Sequence, residues 1–174
     1  MRALIKRVNI TTLFVTHDQE EALAIADRVV VMSKGTVEQI GTPLQIYETP
    51  ETRFVAEFIG ACNTLPARAD GDGNLILDAD VRLPCGAPSG DVVAVIRPEA
   101  ITLATSADAA PVFQATVVSS SYLGHAYRTV IKVGSLNLLM DGHFPSKVVP
   151  NPGTRLSVMI DPTRVRLLPP SMQV

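Results

Sequence analysis

The sequence predicts an α+β protein: a mixed helical and extended segment over residues 1–60, then an all-β region over residues 61–174. Two observations lead there. Up to Gly60, apolar residues recur at helical spacing between two β-rich runs. Beyond Gly60 the texture changes to short alternating runs separated by Gly, Pro, Asn and Asp, the pattern of a small barrel or sandwich.

The elements follow in order. Residues 2–8 read as a helix end with Leu4, Ile5 and Val8 on one face, and residues 11–16 as a short buried strand. A helix is expected over 18–27, with Asp18 and Glu21 spaced as a capping box and Glu20 and Glu21 at the positive end of the dipole. The run 27–33 is rich in β-branched residues, Lys34-Gly35 is a turn, and 36–41 alternates as its hairpin partner. Thr42 caps a short helix with Pro43 at its first position, closed by Thr49-Pro50. Residues 51–59 form another helix, with Phe54, Val55 and Phe58 expected on one side. About seven strands are expected after Gly60: 75–77, 91–97, 112–122 (long enough to bend), 125–133, 136–140, 154–160 and 164–167.

Composition narrows the function classes. Charged residues make up 18% of the chain, below the usual quarter or so, and this argues against disorder. The net charge of −2, without a basic region, argues against a binder of nucleic-acid backbones. Aromatics are 5% with no Trp, which offers no stacking platform for single strands. Cys62 and Cys85 lack metal-ligand spacing and read as small hydrophobes; His17, His125 and His143 are dispersed, so no metal site is expected. No run approaches the ~18 apolar residues of a membrane span, and the charged start Met1–Asn9 is no secretory signal. The expected location is cytoplasmic, with any membrane attachment made through a partner.

The most informative stretch is Thr12-Leu-Phe-Val-Thr-His-Asp-Gln-Glu-Glu21. It places His17 at the lip of a strand-to-helix turn, where oriented backbone N–H groups favour phosphate and a neutral imidazole has one ring N–H to donate. With Ala26-Asp-Arg-Val-Val-Val-Met, Lys34-Gly, Gly41-Thr-Pro and Phe54-Val-Ala-Glu-Phe-Ile-Gly, this stretch resembles the ATPase subunit of ABC importers of the maltose, polyamine and ferric-iron group. Ile96-Arg-Pro-Glu, Tyr122-Leu-Gly and Ser157-Val-Met-Ile-Asp-Pro-Thr-Arg-Val resemble that family's C-terminal regulatory domain, called TOBE. The resemblance implies that residues 1–60 are the remnant of an α/β ABC ATPase domain, from its H-loop onward, and that residues 61–174 are an OB-like TOBE barrel. It implies that His17 contacts the γ-phosphate of ATP in a complete subunit, where magnesium is also used. It implies a homodimer working with membrane-spanning importer subunits, peripheral at the inner face of the cell membrane. Phe58-Ile-Gly-Ala-Cys-Asn-Thr-Leu-Pro leans toward the polyamine or iron branch.

Equally informative is what the sequence omits. Eleven glycines include no Gly-Lys pair, so there is no P-loop to cradle phosphates. Leu-Ser-Gly-Gly-Gln is missing, with Ser89-Gly90 the nearest fragment, and no Asp is followed by Glu to make a Walker B pair. The expectation is therefore the C-terminal regulatory and dimerisation portion of such a subunit, in which His17 is vestigial, no cofactor is held and ATP is not hydrolysed by this chain alone.

Other motifs read structurally. Asp18 is a helix cap. Arg97-Pro-Glu99 is a turn at a strand end, its charges neutralised locally, rather than an anion site. Asp70-Gly-Asp-Gly-Asn74 is a hairpin turn, lacking the later bidentate Glu of a calcium loop. Ser119–Ser121 near His125 lack a nucleophile elbow. The alternative function is a small oxyanion- or ligand-binding OB-like module, for which Ser119, Ser120, Ser121 and Lys132 are the available groups.

Overall fold

A computed structural model of the chain describes residues 7, 10–86, 89–105, 111–124, 126–142 and 150–170. The expected helix end at 2–8, apart from Arg7, lies outside the described residues, as do His125 and His143. The chain divides into two compact units, Met1–Gly60 and Ala61–Val174.

In the first unit, the expected strand at 11–16 does not form. These residues have no regular structure, and Leu13 and Val15 are 89% and 88% exposed. A strand exists only through a ladder with a neighbour, and no described strand pairs with this one. Regular structure begins at helix α1, Gln19–Ile25, capped by Asp18, whose side chain accepts from the Glu21 amide at 3.0 Å. The strands β1 (Val29–Ser33) and β2 (Thr36–Gly41) form an antiparallel hairpin. Its two turn residues, Lys34 and Gly35, both have positive φ (47° and 80°), which gives the turn the twist that two-residue hairpins need. Val31 pairs with Gln39 and Met32 with Val37, so Glu38 is the extra residue of a bulge.

Helix α2, Pro43–Glu48, carries a full capping box. The Thr42 hydroxyl accepts from the Gln45 amide at 3.3 Å, and Gln45 Oε1 accepts from the Thr42 amide at 2.9 Å. Helix α3, Arg53–Phe58, is capped by Thr52. Val29, Val31, Ile46, Val55 and Ile59 form the small core of this unit. The buried Gln39 binds α2 to α3 by donating to the Thr49 carbonyl (3.2 Å) and accepting from the Glu51 amide (3.0 Å). One expectation needs correction. Phe54 and Phe58 stack on each other at 5.4 Å on an exposed side, whereas Val55, one position and about 100° round the helix, faces the core. Alternation buries Val29 and Val31 but leaves the cross-strand pairs Val30–Ile40 and Met32–Val37 exposed.

The second unit is mostly β. Among the described residues it has ten strands: β3 (Asn63–Ala69), β4 (Asn74–Asp78), β5 (Val81–Pro84), β6 (Gly90–Ile96), β7 (Ile101–Leu103), β8 (Val112–Tyr122), β9 (Tyr127–Val133), β10 (Leu136–Gly142), β11 (Arg155–Ile160) and β12 (Val165–Leu168). They make two antiparallel five-stranded sheets, ordered β12-β6-β3-β4-β5 and β10-β9-β8-β11-β7. These half-barrel sheets enclose one core, with Leu75, Leu83 and Ile96 from the first and Ile131, Leu138, Val158 and Ile160 from the second. Such an arrangement is consistent with the OB-like expectation. The strand count exceeds the expected seven by β3, β5 and β7. Pro66 hid β3; it is tolerated because β4 pairs only with Arg68 and Ala69, leaving Pro66 with β6 alone. β8 bends at a bulge, with Val118 the extra residue between Val117 and Ser119.

A polar clasp joins the two sheets, and a second closes a turn within one of them. Asp78, at the end of β4, accepts from the Ser135 amide in the β9–β10 turn (2.8 Å) and from the Ala79 amide (2.8 Å). Gly134 stands against this carboxylate; a Cβ there would lie 2.6 Å from Asp78 Oδ2, at a φ of +58° that side chains rarely adopt. Asp70 closes the 70–74 turn by accepting from the amides of Asp72 (2.8 Å) and Asn74 (3.1 Å) and from the Asn74 side chain (3.0 Å).

These bonds hold both carboxyls below their ordinary value, Asp78 chiefly through the Ser135 amide and Asp70 chiefly through the Asn74 side chain. A carboxyl depressed in the folded state binds protons more readily once unfolded. Its contribution is therefore present above the unfolded value near 3.8 and is lost as pH falls through the lower folded value. The urea midpoint is expected to drop between pH 5 and pH 3, and to drop less in Asp78→Asn. Equal drops in the two proteins would refute a role for the Asp78 clasp.

Candidate functional site

The turn that carries His17 is built by its neighbours. Thr16 Oγ1 accepts from the Asp18 amide at 3.0 Å and donates to Glu21 Oε2 at 3.1 Å. Asp18 in turn caps α1. The expected capping box is thus completed through Thr16, not by Glu21 reaching back to Asp18. His17 is left exposed, its backbone fixed between two hydrogen-bonded residues.

His17, Asp18, Gln19 and Glu20 line an open depression of about 450 Å³. Among the described residues that line it, the charged groups are the carboxylates of Asp18 and Glu20. A polyphosphate there would meet one imidazole beside Asp18 and Glu20, with Glu21 in the same helical turn. These carboxylates repel a phosphate's like charge. Among its described residues, the turn offers a phosphate the imidazole of His17.

The other candidates are placed as follows. Arg97 is 4% exposed and donates through Nη1 to the Ala61 carbonyl at 3.2 Å, while Glu99 pairs with Arg164 at 3.3 Å beside the 3-10 turn Pro98–Ala100. Ser119, Ser120 and Ser121 do not converge. Ser120 sits opposite Thr129 and donates to its hydroxyl at 3.0 Å, whereas alternation sends Ser119 and Ser121 to the opposite face. No group of three His, Cys, Asp or Glu suited to a metal occurs among the described residues, and Cys62 and Cys85 are unlinked.

Sequence reasoning missed two polar residues that organise the second unit and its entry. Asn63, 6% exposed, donates to the carbonyls of Ile96 (3.1 Å) and Leu139 (3.0 Å) and accepts from the Leu139 amide (2.6 Å). Gln19 accepts from the amide of Gly60 at 2.9 Å. The signal for Asn63 was a lone polar residue opening an unrecognised strand; Gln19 gave none.

The TOBE domain family matches residues 94–168. The Fe(3+) ions import ATP-binding protein FbpC of Vibrio cholerae is 38% identical over 144 residues, covering 80% of this chain and 40% of its own length. FbpC of Photobacterium profundum is 36% identical, over 97% of this chain and 48% of its own. The sn-glycerol-3-phosphate import ATP-binding protein UgpC of Chromohalobacter salexigens is 47% identical, over 71% of this chain and 35% of its own. The chain spans less than half the length of these relatives. Among solved structures, the cytoplasmic molybdate-binding protein ModG aligns with 62% of this chain and 96% of its own at 15% identity, with a TM-score of 0.49. No described helix is long and apolar enough to cross a membrane.

Proposed function

From a chain that carries a TOBE domain and is homologous to ABC-importer ATP-binding subunits, we propose a C-terminal regulatory and dimerisation role within such a subunit. Residues 1–60 are the last part of its nucleotide-binding domain and residues 61–174 its regulatory domain. In the complete subunit, with ATP and magnesium, His17 donates to the γ-phosphate. The observation that carries this reading is one chain holding both the His17 turn and the TOBE match at 94–168, aligned over most of its length with importer ATP-binding subunits. The complete subunit works at the inner face of the membrane through membrane-spanning partners. Its relatives bear names of different substrates, ferric ion and glycerol phosphate among them, so no single cargo is proposed.

This chain alone does not turn over ATP. Phosphoryl transfer rests on a phosphate cradle and metal-holding carboxylates, and the sequence has neither a P-loop nor a Walker B pair. A phosphate-release assay on the purified chain should give no magnesium-dependent turnover. Turnover abolished by His17→Ala would overturn the proposal.

We further propose that the chain dimerises. The exposed pairs Val30–Ile40 and Met32–Val37, with exposed Leu13 and Val15, are an apolar surface that association would cover, at about 25 cal/mol per Å². Sedimentation equilibrium should return twice the chain mass of 18.6 kDa. A monomer throughout the micromolar range would defeat the dimer.

A further inference from the structure

The peptide Gly60–Ala61 joins the two units, and it is held on both sides by side chains distant in sequence. On one side the Gly60 amide donates to Oε1 of Gln19, the first residue of α1 and two residues beyond His17. On the other side the Ala61 carbonyl accepts from the buried Arg97, and Asn63, two residues on, is fixed by its three hydrogen bonds. Consecutive Cα atoms are about 3.8 Å apart, so no flexible loop separates the two anchors.

The Gln19 bond has little to offer stability. Gly60 is exposed, and its amide would otherwise bond water at small net cost. Holding a long Gln side chain in one rotamer costs up to about 2 kcal/mol of entropy. The consequence of the bond is geometric: it fixes the start of α1, and with it the His17 turn, to the last residue of the first unit.

We infer that Gln19 is a positioning residue that ties the His17 turn to the junction between the units. The peptide that joins the units is then ordered from both ends, the Gly60 amide by Gln19 and the Ala61 carbonyl by Arg97, each within its own unit. The functional meaning of the tie rests on the phosphate reading of His17; the tie itself does not, and it is tested without nucleotide.

The test uses the whole 174-residue chain, labelled with ¹⁵N, as wild type, Gln19→Ala and Gln19→Glu. In Gln19→Ala, amide exchange at Gly60 should quicken about tenfold, and the backbone order parameters of Ala61 and Cys62 should fall. Gln19→Glu keeps an acceptor oxygen and should match wild type in both respects. The amide shifts of Ala22–Ile25 report whether α1 is intact in each variant. Unchanged exchange at Gly60 in Gln19→Ala would overturn the inference. So would faster exchange at Gly60 with full order kept at Ala61 and Cys62, since Gln19 would then serve only its own unit. Equal loss in Gln19→Glu, with α1 intact, would also overturn it.

Discussion

Replacing Asn63 with alanine is expected to destabilise the second unit by about 3 kcal/mol, a large share of the ~5–15 kcal/mol that holds a domain folded. Asn63 belongs to β3 of one sheet, yet its amide meets both backbone groups of Leu139, on β10 of the other sheet, and the Ile96 carbonyl on β6. No substitution of similar size replaces all three bonds. Alanine leaves the Ile96 and Leu139 carbonyls and the Leu139 amide without this partner, next to the buried Leu138 and Met140. An unmade bond at a buried backbone group costs about 1–3 kcal/mol, more than the net gain of making it. The melting temperature of Asn63→Ala should fall by roughly 15 °C. Asn63→Asp, which keeps an acceptor for the Leu139 amide but sets a carboxylate against two carbonyls, should fall at least as far. A change of only a degree or two in Asn63→Ala would mean that the two sheets are held by their apolar core alone.

This residue also marks where sequence reasoning stopped. Local devices were legible. Lys34-Gly35 announced its hairpin because both turn positions need positive φ, and Thr42-Pro43 announced α2 because cap and first-turn proline act within four residues. Asp18 announced α1 for the same reason. Features that depend on distant partners were not legible. Thr12–Val15 has the composition of a buried strand, but composition cannot supply a neighbour, and the segment is exposed. β3 was hidden by Pro66, whose place depends on where β4 ends, and the three-residue β7 has too little pattern to detect. Nothing local in the sequence shows that Arg97 bonds the Ala61 carbonyl or that Glu99 pairs with Arg164. Of the candidate site, the position of His17 and the cap beside it were readable. The bracing by Thr16 was not, nor the link from Gln19 to Gly60, forty-one positions away.

The acidic lining of the His17 depression gives the functional account its sharpest consequence. On the proposed reading, the imidazole beside Asp18 and Glu20 acts on a nucleotide whose phosphates other groups hold. The direct measurement is therefore made on a fusion in which this chain replaces the matching C-terminal part of the Vibrio cholerae ferric-ion relative, with which it shares 38% identity. Phosphate release is followed at saturating ATP and magnesium. The fusion is expected to hydrolyse ATP, and His17→Ala within it to lose about a hundredfold or more, the scale on which removing one preorganised donor to developing charge acts. ATP affinity should change far less, because the phosphate cradle lies elsewhere. A folded fusion that binds ATP and hydrolyses it equally well with His17 or Ala at that position would contradict the account.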